Sequence, residues 1–154
     1  KTPVTNHISV ATVMNNLGLL YQDQGRIEEA AALLERAAAT LEKALGPQHP
    51  FVAKGLKNLA VSYAAKGRPA EAEAAFQRSL AIAEDALGEQ HYFVGVILSD
   101  YAELLRETRR KREAALLEAR AKAILEQHAQ ENFLNHTIDA GAPQVPRDGQ
   151  THHQ

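Results

Sequence analysis

At 154 residues the chain has room for one ordinary domain and little more, and its apolar share of 45% is enough to build a core. A formal charge of −2 leaves no electrostatic footprint for nucleic acid or an anionic membrane. The absence of Cys excludes a disulfide framework, a thiolate metal site and a cysteine nucleophile.

The apolar content is mostly Ala and Leu, with no Trp and only 5% aromatics. Together with Glu, Arg, Lys and Gln these are strong helix formers, so an all-α fold is expected. No apolar run approaches the roughly 20 residues needed to cross a bilayer, and no apolar signal segment opens the chain. A cytoplasmic setting with no membrane partner is the expectation. The start on Lys1 rather than Met points to a processed product or a fragment with something upstream.

Three His residues, His7, His49 and His91, stand 42 apart and mark an internal repeat. Residues 7–48 align without gaps on 49–90 with 18 identities in 42. Among these are Asn16/Asn58, Leu17/Leu59, Tyr21/Tyr63, Gly25/Gly67, Arg26/Arg68, Ala30/Ala72 and Gly46/Gly88. The third copy, 91–132, is weaker but keeps Leu98, Ala102, Arg110, Glu113, Ala114, Ile124 and Glu126. Arg109 stands where the first two copies have Gly25 and Gly67. Decay in a terminal unit is expected, because its outer face meets water.

In chain order the elements are a helix over about 8–23, a second over 27–45, a third over 50–65, a fourth over 69–87, a fifth over 92–108 and a sixth over 111–130. Pro50 suits a first helical turn, and Gly67 suits a left-handed stop. Leu56, Leu59, Ala60 and Tyr63 form a helical stripe on the third, as do Ala72, Ala75, Phe76, Ser79, Leu80 and Ala83 on the fourth. Neither helix can bury its stripe alone, so the copies must stack.

Leu17, Gly18, Tyr21, Ala30, Leu34 and Ala37 in the first copy, with Leu59, Ala60, Tyr63, Ala72, Phe76 and Ser79 in the second, match the tetratricopeptide pattern. In the third copy Tyr101 and Ala102 hold the first pair, while Leu105 replaces the Tyr and Glu118 takes the large-residue site. The family's Trp is replaced by Met14, Leu56 and Leu98. Ordinary units repeat every 34 residues. The longer period and the strings NNLGLLYQDQGRIEEAAALLERA and LEKALGPQHPFVA resemble the 42-residue repeats of kinesin light chains and their bacterial relatives. The resemblance covers about 7–130. It implies an α–α superhelical solenoid of three helix–turn–helix repeats (7–48, 49–90 and 91–132), with a concave face, lined by the first helices, that takes an extended peptide.

The resemblance also implies the groove positions: Thr12, Asn15, Asn16, Leu19 and Gln22; Lys54, Lys57, Asn58, Val61 and Ala64; Val96, Ser99, Asp100, Glu103 and Arg106. An Asn offers both a donor and an acceptor, so Asn16 and Asn58 either grip a ligand's backbone or bond to a neighbouring helix. Lys54 and Lys57 would draw a carboxylate, while Asp100 and Glu103 would oppose one and Arg106 partly offsets them. A two-carboxylate clamp of the kind found in a related subtype is disfavoured, since Asp100 displaces its third position; a mixed-charge groove is expected.

Other features look chemical without assembling a reaction. His7, His49 and His91 recur at the repeat period, too far apart for the roughly 2 Å bonds of one zinc ion, and are expected to cap first helices. His128 and His136 have no acidic or Cys partner at ligand spacing on a shared helix face, and His152 and His153 in the tail are read either as a loose metal-binding pair or as without a role. Glu28/Glu29 and Glu71/Glu73 sit at second-helix starts, where acids meet the helix dipole favourably. Arg106, Arg109, Arg110, Lys111 and Arg112 form a basic run, read as a solvated bend or as a face for an acidic partner. No phosphate loop, nucleophile elbow or His-Glu metal motif is present, so neither catalysis nor a cofactor or metal is expected. In 131–154, Phe133, Leu134 and Ile138 are expected to pack back as a cap, and the Pro- and Gly-rich end to be mobile. The functional expectation is a non-catalytic module holding a protein or extended peptide. The alternative is a structural module that self-associates through its repeat ends or joins further repeats and domains.

Overall fold

The computed structural model describes residues 3–141. They form six helices: α1 (Val4–Asp23), α2 (Ile27–Leu45), α3 (Pro50–Ala65), α4 (Pro69–Leu87), α5 (Tyr92–Glu107) and α6 (Lys111–Gly141). Consecutive helices pair as α1/α2, α3/α4 and α5/α6, and each pair packs on the next through α2–α3 and α4–α5. Successive first helices touch, whereas successive second helices do not come into backbone contact. The stack therefore bends toward its first helices, and α1, α3 and α5 share the inner face.

Local chemistry sets the boundaries. Gly25 and Gly67 end first helices at φ 75° and 73°, in the left-handed region open to glycine. The following amide then reaches back to the helix, Arg26 N to Tyr21 O at 2.8 Å and Arg68 N to Tyr63 O at 2.9 Å. The third copy makes the same turn with Arg109 at φ 65°. His49 and His91 cap α3 and α5, their Nδ1 atoms accepting from the amides of Phe51 and Phe93 at 3.1 Å.

Two expectations about the ends are corrected. His7 caps nothing: it lies inside α1, which begins three residues earlier behind Pro3. His49 and His91 each follow a Gly by three residues, whereas Val4 holds that place before His7 and nothing breaks the helix. Residues 131–141 do not fold back as a cap but continue α6, with Phe133 and Leu134 exposed. Gly46 and Gly88 stop α2 and α4, but Gln130 stands at the matching place, so the sixth helix runs on. The remainder of the tail lies outside the described residues.

The core threads through the stack. Ala30, Leu34, Ala37, Val52, Ala53, Ala60, Ala72, Phe76, Ile82, Val94, Ile97, Leu98, Ala102 and Ile124 are all essentially inaccessible. Small residues permit the close approach within a pair. A Cβ on Gly18 would lie 2.8 Å from Leu34 Cγ. Phe76 stacks on Tyr101 across the second junction with ring centres 5.5 Å apart.

A non-Gly residue held left-handed costs roughly 1–2 kcal/mol, partly offset by the entropy a glycine loses on folding. Replacing Arg109 with Gly is therefore expected to stabilise the chain by about 1 kcal/mol in urea denaturation. No gain in the transition midpoint would show the turn to be relaxed with Arg in place.

Candidate functional site: the first-helix face

The residues proposed for a groove stand on α1, α3 and α5, and several are already partnered. Asn58 Nδ2 donates to Asn15 Oδ1 at 2.9 Å, and both residues are buried. Forty-two residues on, Lys57 meets Asp100 at 3.2 Å. Asn15 and Lys57 are equivalent positions, as are Asn58 and Asp100, so one contact recurs between successive first helices, first as an amide pair and then as an ion pair. Of the two alternatives for Asn16 and Asn58, Asn58 takes the bond to a neighbouring helix, through Asn15, whereas Asn16 is exposed. Lys57 and Asp100 likewise neutralise each other, which answers their apparent conflict over ligand charge.

Other charges are drawn into the framework. Arg106 pairs with Glu103 at 3.1 Å and with Glu118 at 2.7 Å. Arg110 holds Glu73 at 2.7 Å and Glu113 at 2.6 Å. Two members of the basic run therefore brace the third unit, while Arg109, Lys111 and Arg112 remain exposed. Glu73 does more than face a helix dipole, for it also accepts from Tyr101 Oη at 2.7 Å. Hydrogen bonds from Arg110 and then from Tyr101 hold its carboxyl below the usual range. At the first junction Tyr63 Oη donates to Glu35 at 2.8 Å. Burial, followed by this carboxylate, pushes the Tyr63 phenol up to about 12.

A device that sequence reasoning did not single out recurs at each hairpin. Arg26 lies over the Tyr21 ring and pairs with Glu29, and Arg68 lies over Tyr63 and pairs with Glu71. Arg110 keeps the Glu113 pair with Leu105 in the aromatic's place. The signal was available, because Arg26, Arg68 and Arg110 are among the repeated identities.

Among the described residues, two depressions on the first-helix face lie between neighbouring units. One, of about 160 Å³, is lined by Ala11, Thr12, Asn16, Phe51, Lys54 and Gly55, with Asn15 and Leu41 beneath. Asn16, Lys54 and half-exposed Phe51 give it an amide, a cation and an aromatic edge. The other, of about 390 Å³, is lined by Val61, Ala64, Ala65, Phe76, Leu104, Asp100, Glu103 and Glu107. It is apolar at its base and acidic at its rim. Leu19, Gln22 and Val96 are half-buried and line neither depression, and exposed Ser99 lies beside Glu118 and Lys122 instead. Among the described residues no group of three or more His, Cys, Asp or Glu is placed to hold a metal ion, and no helix is long and apolar enough to cross a membrane.

This is a helical-repeat architecture whose inner face is open between units. The tetratricopeptide repeat model matches residues 9–85 and 51–127, and the chain belongs to that family, in its kinesin-light-chain-like form. No curated protein sequence matches. Among solved structures, TPR-like repeats of Podosopora anserina assigned to kinesin light chain align over 79% of this chain and 57% of that one, at 25% identity and a TM-score of 0.68. A second structure of these nearly identical repeats gives 27% identity, 78% and 57% coverage and a TM-score of 0.65. BtubC (BKLC) from P. vanneervenii is similar in fold, with 22% identity, 94% and 54% coverage and a TM-score of 0.68. The chain thus spans a little over half the length of these proteins. Repeats of this family are generally protein-interaction modules.

Truncating one member of the buried amide pair leaves the other unsatisfied, which costs about 1–3 kcal/mol. Asn58→Ala is expected to destabilise by that amount, and the double change Asn15→Leu, Asn58→Leu to recover most of it. Chemical denaturation of the three proteins checks this, and an Asn58→Ala variant as stable as the parent would contradict it.

Proposed function

We propose that the chain is a non-catalytic module that binds an extended segment of a partner protein along α1, α3 and α5. The carrying observation is the pair of depressions on that face, one presenting Asn16 and Lys54 and the other Glu103 and Glu107. Most of the surrounding charges are spent on internal pairs, and Glu103 shares Arg106; Asn16, Lys54 and Glu107 are the side chains left for a ligand among the described residues. A segment that fits carries an acidic group over Lys54 and a basic group over Glu103 and Glu107, with apolar side chains on Phe51 and on the Val61–Leu104 floor. Asn16 is exposed and can bond to the segment's backbone, which favours an extended conformation without demanding one sequence.

A peptide array in which acidic and basic positions vary independently tests this reading. Peptides carrying both charges should bind best. Lys54→Glu should remove the preference for the acidic group and Glu103→Lys that for the basic group, each weakening binding about tenfold, or ~1.4 kcal/mol. Both substitutions are on exposed positions and should leave helicity unchanged by circular dichroism. Binding indifferent to both would reject this face as the site.

A further inference from the structure

The outward face of α1 is unlike those of its counterparts. Val10, Val13 and Leu20 are 48%, 64% and 50% exposed. Their equivalents one and two repeats on are Val52, Gly55 and Ser62, then Val94, Ile97 and Leu104, all buried. In α3 and α5 that stripe is covered by the second helix of the neighbouring unit, α2 and α4 respectively. On α1 it is bare, a spacing of three and seven that lays the apolar side chains along one helix face.

Two polar features are open on the same side. Asn58 is bonded to Asn15, and Asp100 to Lys57, but their equivalent Asn16 has no such partner. In α4 and α6, Arg78 reaches Glu42 and Arg120 reaches Glu84, both at 2.7 Å. Arg36, 42 residues before Arg78, is exposed and has no carboxylate among the described residues. Both of these pairs take the acid from the unit on the α1 side and the base from the next. Arg36 is a base awaiting that acid.

We infer that α1 is a docking face for a second-type helix from a tetratricopeptide unit outside these three, one with two apolar residues three apart followed directly by Glu. The two covered junctions set the pattern, Ala38, Leu41 and Glu42 in α2 and Leu80, Ala83 and Glu84 in α4. A Cβ on Gly55, the counterpart of Val13, would lie 3.5 Å from Ala38 Cα and Leu41 Cδ1, and Glu42 follows directly to meet Arg78. A second copy docking through α6 fits less well. Lys122 stands where α2 has Ala38 and α4 has Leu80, and its side chain, 74% exposed, would have to be desolvated against Val13. This face adjoins the groove at Asn16, which also lines the first depression, while Val10, Val13, Leu20 and Arg36 line neither depression.

The test titrates the full chain into a labelled peptide with the sequence of residues 27–45, read by fluorescence anisotropy, with sedimentation of the chain alone alongside. Saturable binding is expected, weakened at least tenfold by Val13→Glu in the protein or by Leu41→Glu in the peptide. Arg36→Glu should also weaken binding, and Glu42→Arg in the peptide should restore part of the loss. Val13 and Arg36 are exposed, so these variants should keep the parent's thermal midpoint, and Lys54→Glu should leave peptide binding unchanged. Absence of saturable binding would overturn the inference. So would equal binding by the parent and Val13→Glu, the signature of peptide exchanging with the chain's own α2. Self-association of the chain alone that Val13→Glu abolishes would assign the face to a second copy and likewise overturn it.

Discussion

The structure depends on one constraint: each helix pair leaves an apolar stripe that only the neighbouring unit can cover. Burying a Val, Leu or Ile side chain is worth roughly 1.5–3 kcal/mol, so a stripe of several outweighs any single polar contact at the junctions. Val52 in α3, and Val94 and Ile97 in α5, are buried to completion this way. Within a pair, by contrast, a small residue such as Gly18 lets the two helices approach. Because the contact is between neighbours, the array is quasi-one-dimensional and its ends differ from its middle.

The polar contacts set register more than stability. Exposed ion pairs contribute about 0–1 kcal/mol each, and Glu42–Arg78 and Glu84–Arg120 are of that kind. Their value lies in direction and spacing, for acid and base are always 36 residues apart and always in the same order. The buried Asn15–Asn58 pair is stricter, because a slipped junction would leave both amides unsatisfied. At the second junction the same position is an ion pair and the surrounding network is larger, with Glu73 joining Tyr101 and Arg110. The third unit, weakest in sequence, is thus braced by the densest polar network in the stack.

Most of the fold was legible because its signals are periodic. The His markers, Gly25 and Gly67 and the apolar stripes located six helices with boundaries close to those observed. What escaped was decided by a single missing breaker. Nothing at Val4 prevents α1 from running through His7, and nothing at Gln130 prevents α6 from running on past it. The site was half legible. The family resemblance put Asn15, Asn58, Lys57 and Asp100 on the inner face, but it could not say that a 43-residue offset aims each at its neighbour across the junction. That offset is one more than the period, and pairing across it follows from how adjacent first helices are displaced, a tertiary fact that the repeat alone does not contain. The bare stripe on α1 was hidden for the same reason, since Val10 and Val52 are the same residue in sequence and opposite in exposure.

If neighbour stacking is what holds the fold, protection should follow the number of covered faces. Native-state hydrogen exchange resolved by helix measures this directly. The account predicts the slowest exchange in α3 and α4, which have units on both sides, and distinctly faster exchange in α1, whose outward stripe is uncovered. Protection in α1 equal to or greater than that in α3 would contradict it.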